Sequence, residues 1–332
     1  MPLATRLPKV PSCPNCSLNS RCTLEAMKIT FCCRNTNPEP WLAGLKTALP
    51  LADVTLWQAG APAADHAVVW SPPQQFFDEQ TQLKGVFNIG AGVDALLKLR
   101  LPPHACVVRL DDAGMSVQMA EYVCHAVIRH FREFDGYAAD AQIAKWAYRK
   151  PRVRAEFSVG VMGLGVLGER VARALRTFEF PVNGWSRSAK VIEGVQCFAG
   201  TDQFDEFLAA SQVLVNLLPL TPDTQDIMNR ASLSKLKPGS FVINVARGAH
   251  LVEDDLLALL DEGHLAGATI DVFRTEPLPP EHPFWRHPKI TATPHTSART
   301  LREESIAQIA GKLEALMRGE PIAGIVDPVR GY

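Results

Sequence analysis

Three ionisable side chains each stand just beyond a short apolar run: Arg247 after Phe241–Ala246, Glu276 after Ile270–Phe273, and His295 after Ile290–Ala292. In an open α/β sheet, ligands bind outside the carboxyl ends of the strands. If the three runs are strands of one such sheet, the three side chains converge on one site. The chemistry they suit is hydride transfer to a 2-oxo acid. A guanidinium can fork onto the substrate carboxylate and polarise its carbonyl. A histidinium can protonate the carbonyl oxygen as hydride arrives, and a carboxylate beside the ring orients it and favours its charged form. Taken singly, each residue has a plainer reading. Arg247 could be a surface arginine, Glu276 a loop acid before Pro277, and His295 a cap after Pro294.

What joins them is a nucleotide motif upstream. The apolar run Ser158–Met162 leads into Gly163-Leu164-Gly165-Val166-Leu167-Gly168 and then into a helical pattern with Leu167, Val171, Ala174 and Phe178 on one face. A GxGxxG set between a strand and a helix is the fingerprint of a dinucleotide-binding (Rossmann) unit. Gly163 allows the tight turn, Gly165 lets the backbone approach a pyrophosphate, and Gly168 lets helix and strand pack closely. Val166 and Leu167, between the glycines, are grouped with them as cofactor contacts. The helix N-terminus offers free N–H groups to the phosphates.

The end of the next strand is where an Asp or Glu would grip the ribose 2′-hydroxyl of NAD. This chain has Ser186, Arg187, Ser188 and Lys190 there. Arginine, lysine and hydroxyls suit a 2′-phosphate, so the expected cofactor is NADP, with NADPH preferred over NADH. A solvated basic turn is the alternative.

The elements that must position these groups follow from alternation. Strands are read at 28–33, 54–57, 85–89 and 107–108, with a short apolar run at 67–70 that stops at Pro72-Pro73, a helix at 38–48 and a long helix at 116–137. A second, more regular run has strands at 158–162, 182–186, 213–218, 241–246, 268–273 and 290–293. Its helices fall at 165–178, 202–210, 254–262 and 302–318. Short strands alternating with helices signal parallel sheets. The expected fold class is therefore α/β, two doubly wound (Rossmann/flavodoxin-like) domains with parallel sheets and a cleft between them. The last helix is expected to return to the first domain, because no seventh strand follows it.

Composition agrees and excludes other classes. The 332 residues are 47% hydrophobic and 21% charged, and 34 Lys and Arg against 35 Asp and Glu leave a net charge of −1. That balance disfavours nucleic acid and anionic membranes as partners. No uncharged apolar run reaches the length of a membrane span. Five of the eight cysteines fall within the first 33 residues and three are scattered, which fits free thiols in a reducing cytoplasm better than a disulfide framework. Residues 1–26 lack periodicity and a signal-peptide core, so they are expected to be a disordered extension, with Met27 the true or ancestral start. Cys13, Cys16 and Cys22 make only half of a zinc knuckle, and no metal site is expected.

These motifs together resemble the D-isomer-specific 2-hydroxyacid dehydrogenases over about residues 27–332. The resemblance rests on Gly90–Asp94, Gly163–Gly168, Trp185–Arg187, Asn216–Pro219, Ala246–Gly248, Asp271–Phe273, Glu276-Pro277, Thr293–His295 and the terminal Arg330–Tyr332. It implies that Arg247, Glu276 and His295 are catalytic, with His295 the acid/base. It implies that backbone N–H groups of Gly90, Ala91, Gly92 and Val93 hold the substrate carboxylate. It further implies that Asp271 holds the nicotinamide carboxamide and that Leu218 and Pro219 line the adenosine side. It also implies a discontinuous substrate domain, 27–124 with 299–332, around a cofactor domain at 125–298, and a homodimer through the cofactor domain.

Trp70 and Trp285 are candidates for the substrate pocket, with ordinary packing the alternative. His250, His282 and His287 read as surface residues. The expected reaction is NADPH-dependent reduction of glyoxylate to glycolate and of hydroxypyruvate to D-glycerate. A reductase of bulkier, phenylpyruvate-like 2-oxo acids and a dinucleotide-sensing binding module are the alternatives. A formate dehydrogenase is disfavoured, because Glu276 provides the usual partner of His295.

Overall fold

The computed structural model describes residues 26–327 and 331, so the expectations for the N-terminal extension and for Arg330 and Tyr332 lie outside the described residues. The chain divides into two compact units. One is drawn from residues up to Gly90, from Lys98–Leu110 and from Arg302–Val326. The other comprises Ala91–Leu97, Asp111–Leu301 and the residues from Asp327 on.

In the first unit, β1 (Lys28–Cys33), α1 (Pro38–Ala48), β2 (Asp53–Leu56), β3 (His66–Trp70), α2 (Gln74–Glu79), β4 (Gly85–Asn88) and β5 (Cys106–Val108) follow in order. Asn37 caps α1 through its side chain and Pro38 opens the helix, where its missing N–H costs nothing. The five strands are all parallel, in the order β2-β1-β3-β4-β5. That is the flavodoxin-like order of a doubly wound sheet.

The second unit begins with α3 (Met115–Phe131) and α4 (Phe134–Gln142). Then come β6 (Val159–Met162), α5 (Val166–Thr177), β7 (Val182–Ser186), β8 (Val195–Ala199), α6 (Phe204–Ala209) and β9 (Val213–Asn216). It continues through α7 (Arg230–Leu233), β10 (Ser240–Asn244), α8 (Glu253–Asp261), β11 (Leu265–Ile270) and β12 (Ile290–Ala292). The seven parallel strands run β12-β11-β10-β9-β6-β7-β8, so the order reverses between β6 and β9. Period-2 alternation sends neighbouring residues to opposite faces. Val159, Val161, Val213, Val215, Phe241 and Ile243 pack under α3 and α5. Met162, Leu214, Val242 and Ile270 join the residues of α6 and α8 on the other face. Burial on both faces explains why these strands read as unbroken apolar runs.

The last helix, α9 (Arg302–Met317), belongs to the first unit, as expected. A Cβ on Gly44 of α1 would stand 2.5 Å from Ile306, so the missing side chain lets the two helices touch. Lys312 on α9 donates to the Arg109 carbonyl at 2.8 Å.

Several features depart from the sequence reading, among them the strand β3, which read only as a short apolar run. Strand β8 was not anticipated: only Phe198 of its five residues is buried, as befits an edge strand, so its apolar signal is weak. The helix expected over 116–137 breaks at Glu133, whose φ of 54° is left-handed, and α4 starts afresh. Periodicity cannot register a turn of one residue. Residues 91–97, 111–124 and 299–301, read with the first domain, fall in the second unit, where α3 lies against α5.

Burial gives the fold an acid liability. His130 stacks on Phe241 at 4.2 Å with Nε2 unpartnered among the described residues, and burial, helped by the Arg152 cation, pushes its pKa down to about 3. Burial likewise pushes His66 down to about 4. Below pH ~6.5 the unfolded chain takes up protons that the folded chain refuses, so stability is complete above that pH and is lost as pH falls toward 4. The expected loss is on the order of a few kcal/mol. Urea unfolding at pH 7.5 and pH 5 measures it, and His130→Phe should flatten the dependence; an unchanged slope would refute the assignment.

Burial also raises the thiols of Cys32 and Cys124 to about 11 and that of Cys33 to about 12. Among the described residues these three cysteines and Cys197 form no disulfide. No helix among the described residues is long and apolar enough to cross a membrane.

Candidate active site

The reversal of strand order places the β6–α5 turn beside the loop after β9. Gly163 adopts φ +97°, and a Cβ there would stand 2.7 Å from the Leu217 carbonyl oxygen. A Cβ on Gly168 would stand 1.7 Å from the carbonyl oxygen of Gly163, so helix and turn meet only because both are glycine. Around Gly165 there is open space: a Cβ would meet nothing within 4 Å. No side chain caps α5, and its first N–H groups are left for an anion. Val166 is exposed, while Leu167 packs on the core.

At the end of β7, Arg187, Ser188 and Lys190 are exposed. Ser186 is buried, and its hydroxyl donates to the Ser188 carbonyl at 2.8 Å. It therefore shapes the turn that presents Arg187. Beyond β9, the Leu218 N–H donates to Asn216 Oδ1 at 3.2 Å, and the Pro219 carbonyl accepts from Thr224 Oγ1 at 2.7 Å.

Asn216 and Asn244 end β9 and β10, both fully buried, and Asn216 Nδ2 donates to Asn244 Oδ1 at 3.1 Å. Asn244 Nδ2 in turn donates to the Arg247 carbonyl at 3.0 Å. Two side-chain amides thus tie the Leu218–Pro219 loop to the arginine turn, so that neither carries buried unpaired polar groups. The Arg247 guanidinium donates from Nε to Asp94 Oδ1 at 2.9 Å and from Nη1 to the Ala246 carbonyl at 2.6 Å. A Cβ on Gly92 would stand 1.5 Å from Arg247 Nη2, so the guanidinium lies directly against the backbone of Gly92. A Cβ on Gly248 would stand 1.9 Å from the carbonyl carbon of Phe273, which brings the arginine turn against the loop that carries Glu276.

Asp271 follows β11 directly and is fully buried. Its carboxylate accepts from Thr293 Oγ1 at 2.5 Å, from the Thr296 N–H at 2.8 Å and from the Ser297 N–H at 2.8 Å. It thereby fixes the loop of His295, whose own N–H donates to the Asp271 carbonyl at 2.8 Å. This network holds His295 at φ +53°, a left-handed conformation that costs a non-glycine residue on the order of 1–2 kcal/mol. Tyr122 on α3 adds a hydroxyl 2.5 Å from Thr293 Oγ1.

His295 Nδ1 lies 2.9 Å from Glu276 Oε2, and the Phe273 N–H donates to Glu276 Oε1 at 3.0 Å. Partial burial raises the Glu276 pKa, but the bonds from His295 and Phe273 and the nearby charges of His295 and Arg247 outweigh it, so the group is held below the usual carboxylate range. An ionised glutamate on Nδ1 orients the ring and leaves Nε2 to exchange a proton. The Glu276 loop is anchored further by Arg274, which pairs with Asp226 and donates from Nε to the Leu251 carbonyl at 2.7 Å.

The second unit thus gathers Arg247, Glu276, His295, Asp271, Gly92 and the glycine turn on the carboxyl ends of one sheet. Ala91 and the buried Val93 flank Gly92. In the first unit, Trp70 ends β3 half-exposed with its ring against Gly90, where a Cβ would stand 2.5 Å from it. Trp285 is also half-exposed; its Nε1 donates to the Pro279 carbonyl at 2.9 Å. No hydrogen bond or ring contact among the described residues joins Trp285 to Arg247, Glu276 or His295.

One expectation is corrected: His250 is not a surface residue. It is fully buried with Nε2 3.2 Å from the Pro219 carbonyl, and burial pushes its pKa down to about 4. The apolar neighbours in sequence give no hint that the turn after β10 folds inward. His282 and His287 are half-buried beside Glu253 and Asp261. The sequence reading missed Asp94 and Asn244 as site residues. A polar residue closing an apolar strand was the available signal for Asn244; nothing local marks Asp94 as a partner of Arg247.

A Rossmann-like sheet with its glycine turn at the switch point and a basic–acidic–imidazole set on its carboxyl edge defines a dinucleotide-linked oxidoreductase class of site. Residues 124–297 match the family model described as the D-isomer specific 2-hydroxyacid dehydrogenase, NAD binding domain, and the chain belongs to that family. A glyoxylate/hydroxypyruvate reductase A of Serratia proteamaculans (strain 568) is 49% identical over 313 residues, covering 92% of this chain and 100% of the relative. Among solved structures, a D-isomer specific 2-hydroxyacid dehydrogenase of Xanthobacter autotrophicus Py2, in complex with NADPH and MES, is similar. It superposes with a TM-score of 0.88 at 39% identity, covering 93% of this chain and 100% of that one. An NADPH-dependent glyoxylate/hydroxypyruvate reductase of Sinorhizobium meliloti, in complex with NADP and sulfate, gives a TM-score of 0.87 at 36% identity, with 92% and 100% covered.

Proposed function

We propose that this protein is an NADPH-dependent reductase of small 2-oxo acids, converting glyoxylate to glycolate and hydroxypyruvate to D-glycerate. The observation that carries the reading is the pairing of His295 with an ionised Glu276 beside Arg247, on the same sheet edge as the glycine turn. The Serratia and Sinorhizobium relatives, named for this activity, support it. The second unit takes the cofactor.

The residues present fit NADP. The open space at Gly165 and the uncapped start of α5 suit a pyrophosphate, and exposed Arg187, Ser188 and Lys190 suit a 2′-phosphate. Leu218 and Pro219 form the adenosine side of the same edge. When bound, NADPH supplies the hydride to the carbonyl carbon. Arg247 holds the substrate carboxylate and polarises the carbonyl, with the backbone of Ala91–Val93 alongside. His295 donates its proton to the carbonyl oxygen, and Glu276 steadies the ring through both protonation states. Asp271 holds the His295 loop and has one acceptor position left for the carboxamide.

The assembly is a homodimer through the second unit. Ile143, Trp146 and Tyr148, after α4, are 72%, 91% and 91% exposed, an apolar surface of the kind that interfaces cover. The thiols of Cys32, Cys33, Cys124 and Cys197, which form no disulfide among the described residues, suit a reducing cytoplasm.

The test is absorbance at 340 nm with glyoxylate, hydroxypyruvate and phenylpyruvate, each against NADPH and NADH. Fast NADPH oxidation with the two small acids is expected. Turnover with phenylpyruvate alone would move the substrate class, and tight dinucleotide binding without turnover would favour a sensing role. In the same assay Arg187→Ala should raise KM for NADPH about 10-fold or more while leaving KM for NADH nearly unchanged, as expected of a lost charge-assisted phosphate contact. Equal losses for both would refute the phosphate role.

A further inference from the structure

Asp94 has no role in the chemistry set out above, yet its carboxylate accepts from the Arg247 guanidinium. A guanidinium has five N–H donors and two ways to fork onto a carboxylate: side-on through Nε and one Nη, or end-on through both Nη groups. Here the Nε–H is taken by Asp94 Oδ1 at 2.9 Å, and Nη1 gives one N–H to the Ala246 carbonyl at 2.6 Å. Nη2 lies against Gly92, where a Cβ would stand 1.5 Å away. The side-on fork is closed, and only the end-on pair is left for an incoming anion. Both side chains are partly buried, Arg247 at 30% and Asp94 at 23% exposure, so their charges are felt in the site rather than screened away.

We propose that Asp94 is a positioning and specificity residue: by holding Arg247 Nε it turns the guanidinium end-on to the substrate carboxylate, and by its own charge beside that anion it restricts the site to 2-oxo acids with a single negative charge. Like charges brought together at such a site are disfavoured strongly enough to set specificity. The inference rests on the reductase reading for its substrate class. The bond between Asp94 and Arg247 does not depend on it.

The test compares Asp94→Asn with Asp94→Ala in the full chain. Asparagine keeps an acceptor for Nε–H and removes the charge; alanine removes both. Asp94→Ala should lower kcat for glyoxylate about 10- to 100-fold and raise its KM, as expected of a misplaced positioning group. Asp94→Asn should recover most of that kcat. NADPH affinity, followed by its fluorescence, should be the same in all three proteins, and matching unfolding midpoints would exclude a merely structural loss.

The charge is read separately. In Asp94→Asn the ratio of kcat/KM for oxaloacetate, a dianion, to that for glyoxylate should rise about tenfold. Binding of oxalate relative to oxamate to the NADPH complex should strengthen in step. Equal kcat losses in both variants would overturn the positioning role, and unchanged oxaloacetate and oxalate ratios would overturn the specificity role. A wild-type protein that binds NADPH but turns over no 2-oxo acid would sink the reductase reading instead, and the oxalate-to-oxamate ratio would still decide whether Asp94 discriminates charge.

Discussion

His295→Ala should lower kcat for glyoxylate by about 10²–10⁴ while leaving NADPH affinity nearly unchanged. The ring is the group placed to give a proton to the carbonyl oxygen, and its Nδ1 is already engaged by Glu276 at 2.9 Å. Alanine also removes a residue from a backbone at φ +53°, so a second variant separates chemistry from conformation. Asparagine tolerates the left-handed region better than most residues. His295→Asn should therefore fold at least as well as the wild type and still lose the same activity, because it carries no titrating group. A loss of that size corresponds to roughly 3–5 kcal/mol of transition-state stabilisation. Near-normal turnover in His295→Asn would remove this residue as the acid.

Gly248→Ala should be among the most damaging additions of a single methyl group to this site. The new carbon would lie 1.9 Å from the carbonyl carbon of Phe273 and 2.1 Å from its oxygen. Both are backbone atoms that cannot rotate away, unlike the tip of a long side chain. Relief requires moving the loop that carries Glu276, three residues beyond Phe273. Overpacking of this kind costs about 1–3 kcal/mol or more, and a shift near 1 Å at a catalytic group costs about 10²-fold in rate. The expected result is a lowered unfolding midpoint together with kcat/KM down about 100-fold.

Gly311→Ala is the control, since nothing lies within 4 Å of a Cβ on that exposed turn of α9. It should stabilise by about 0.5–1 kcal/mol and leave activity alone. If Gly248→Ala behaved like Gly311→Ala, the close approach of the two loops would be wrong. Gly92→Ala gives a third pattern. Its methyl would strike Arg247 Nη2, a flexible tip, so activity should suffer more than stability.

The contrast between these glycines shows how much of the site could be read in advance. Gly163, Gly165 and Gly168 announce themselves by spacing, and the structure shows a left-handed turn at the first, open room at the second and a helix pressed on a turn at the third. Gly92 and Gly248 belong to no spacing rule. Their importance comes from what the fold lays against them. Ser186 illustrates the same limit from the other side. Its type and position suited a phosphate donor, but its hydroxyl closes the local turn onto Ser188.

By itself the sequence determined most of the strands, though not the edge strand β8, and which residues would stand at their carboxyl ends. Strand periodicity, glycine spacing and the apolar runs of a doubly covered sheet are local patterns, and Arg247, Asp271, Glu276 and His295 inherit their placement from them. Only the tertiary structure decided which of these groups meet. Strand order put β6 beside β9 and made the crevice. Folding brought Asp94 to Arg247 across 153 positions of chain. It also buried His250 beneath the Pro219 carbonyl and hid an edge strand whose pattern was too polar to see. Contacts between distant segments depend on packing that no local window of residue types encodes, so orientation and charge at the arginine were settled by the fold.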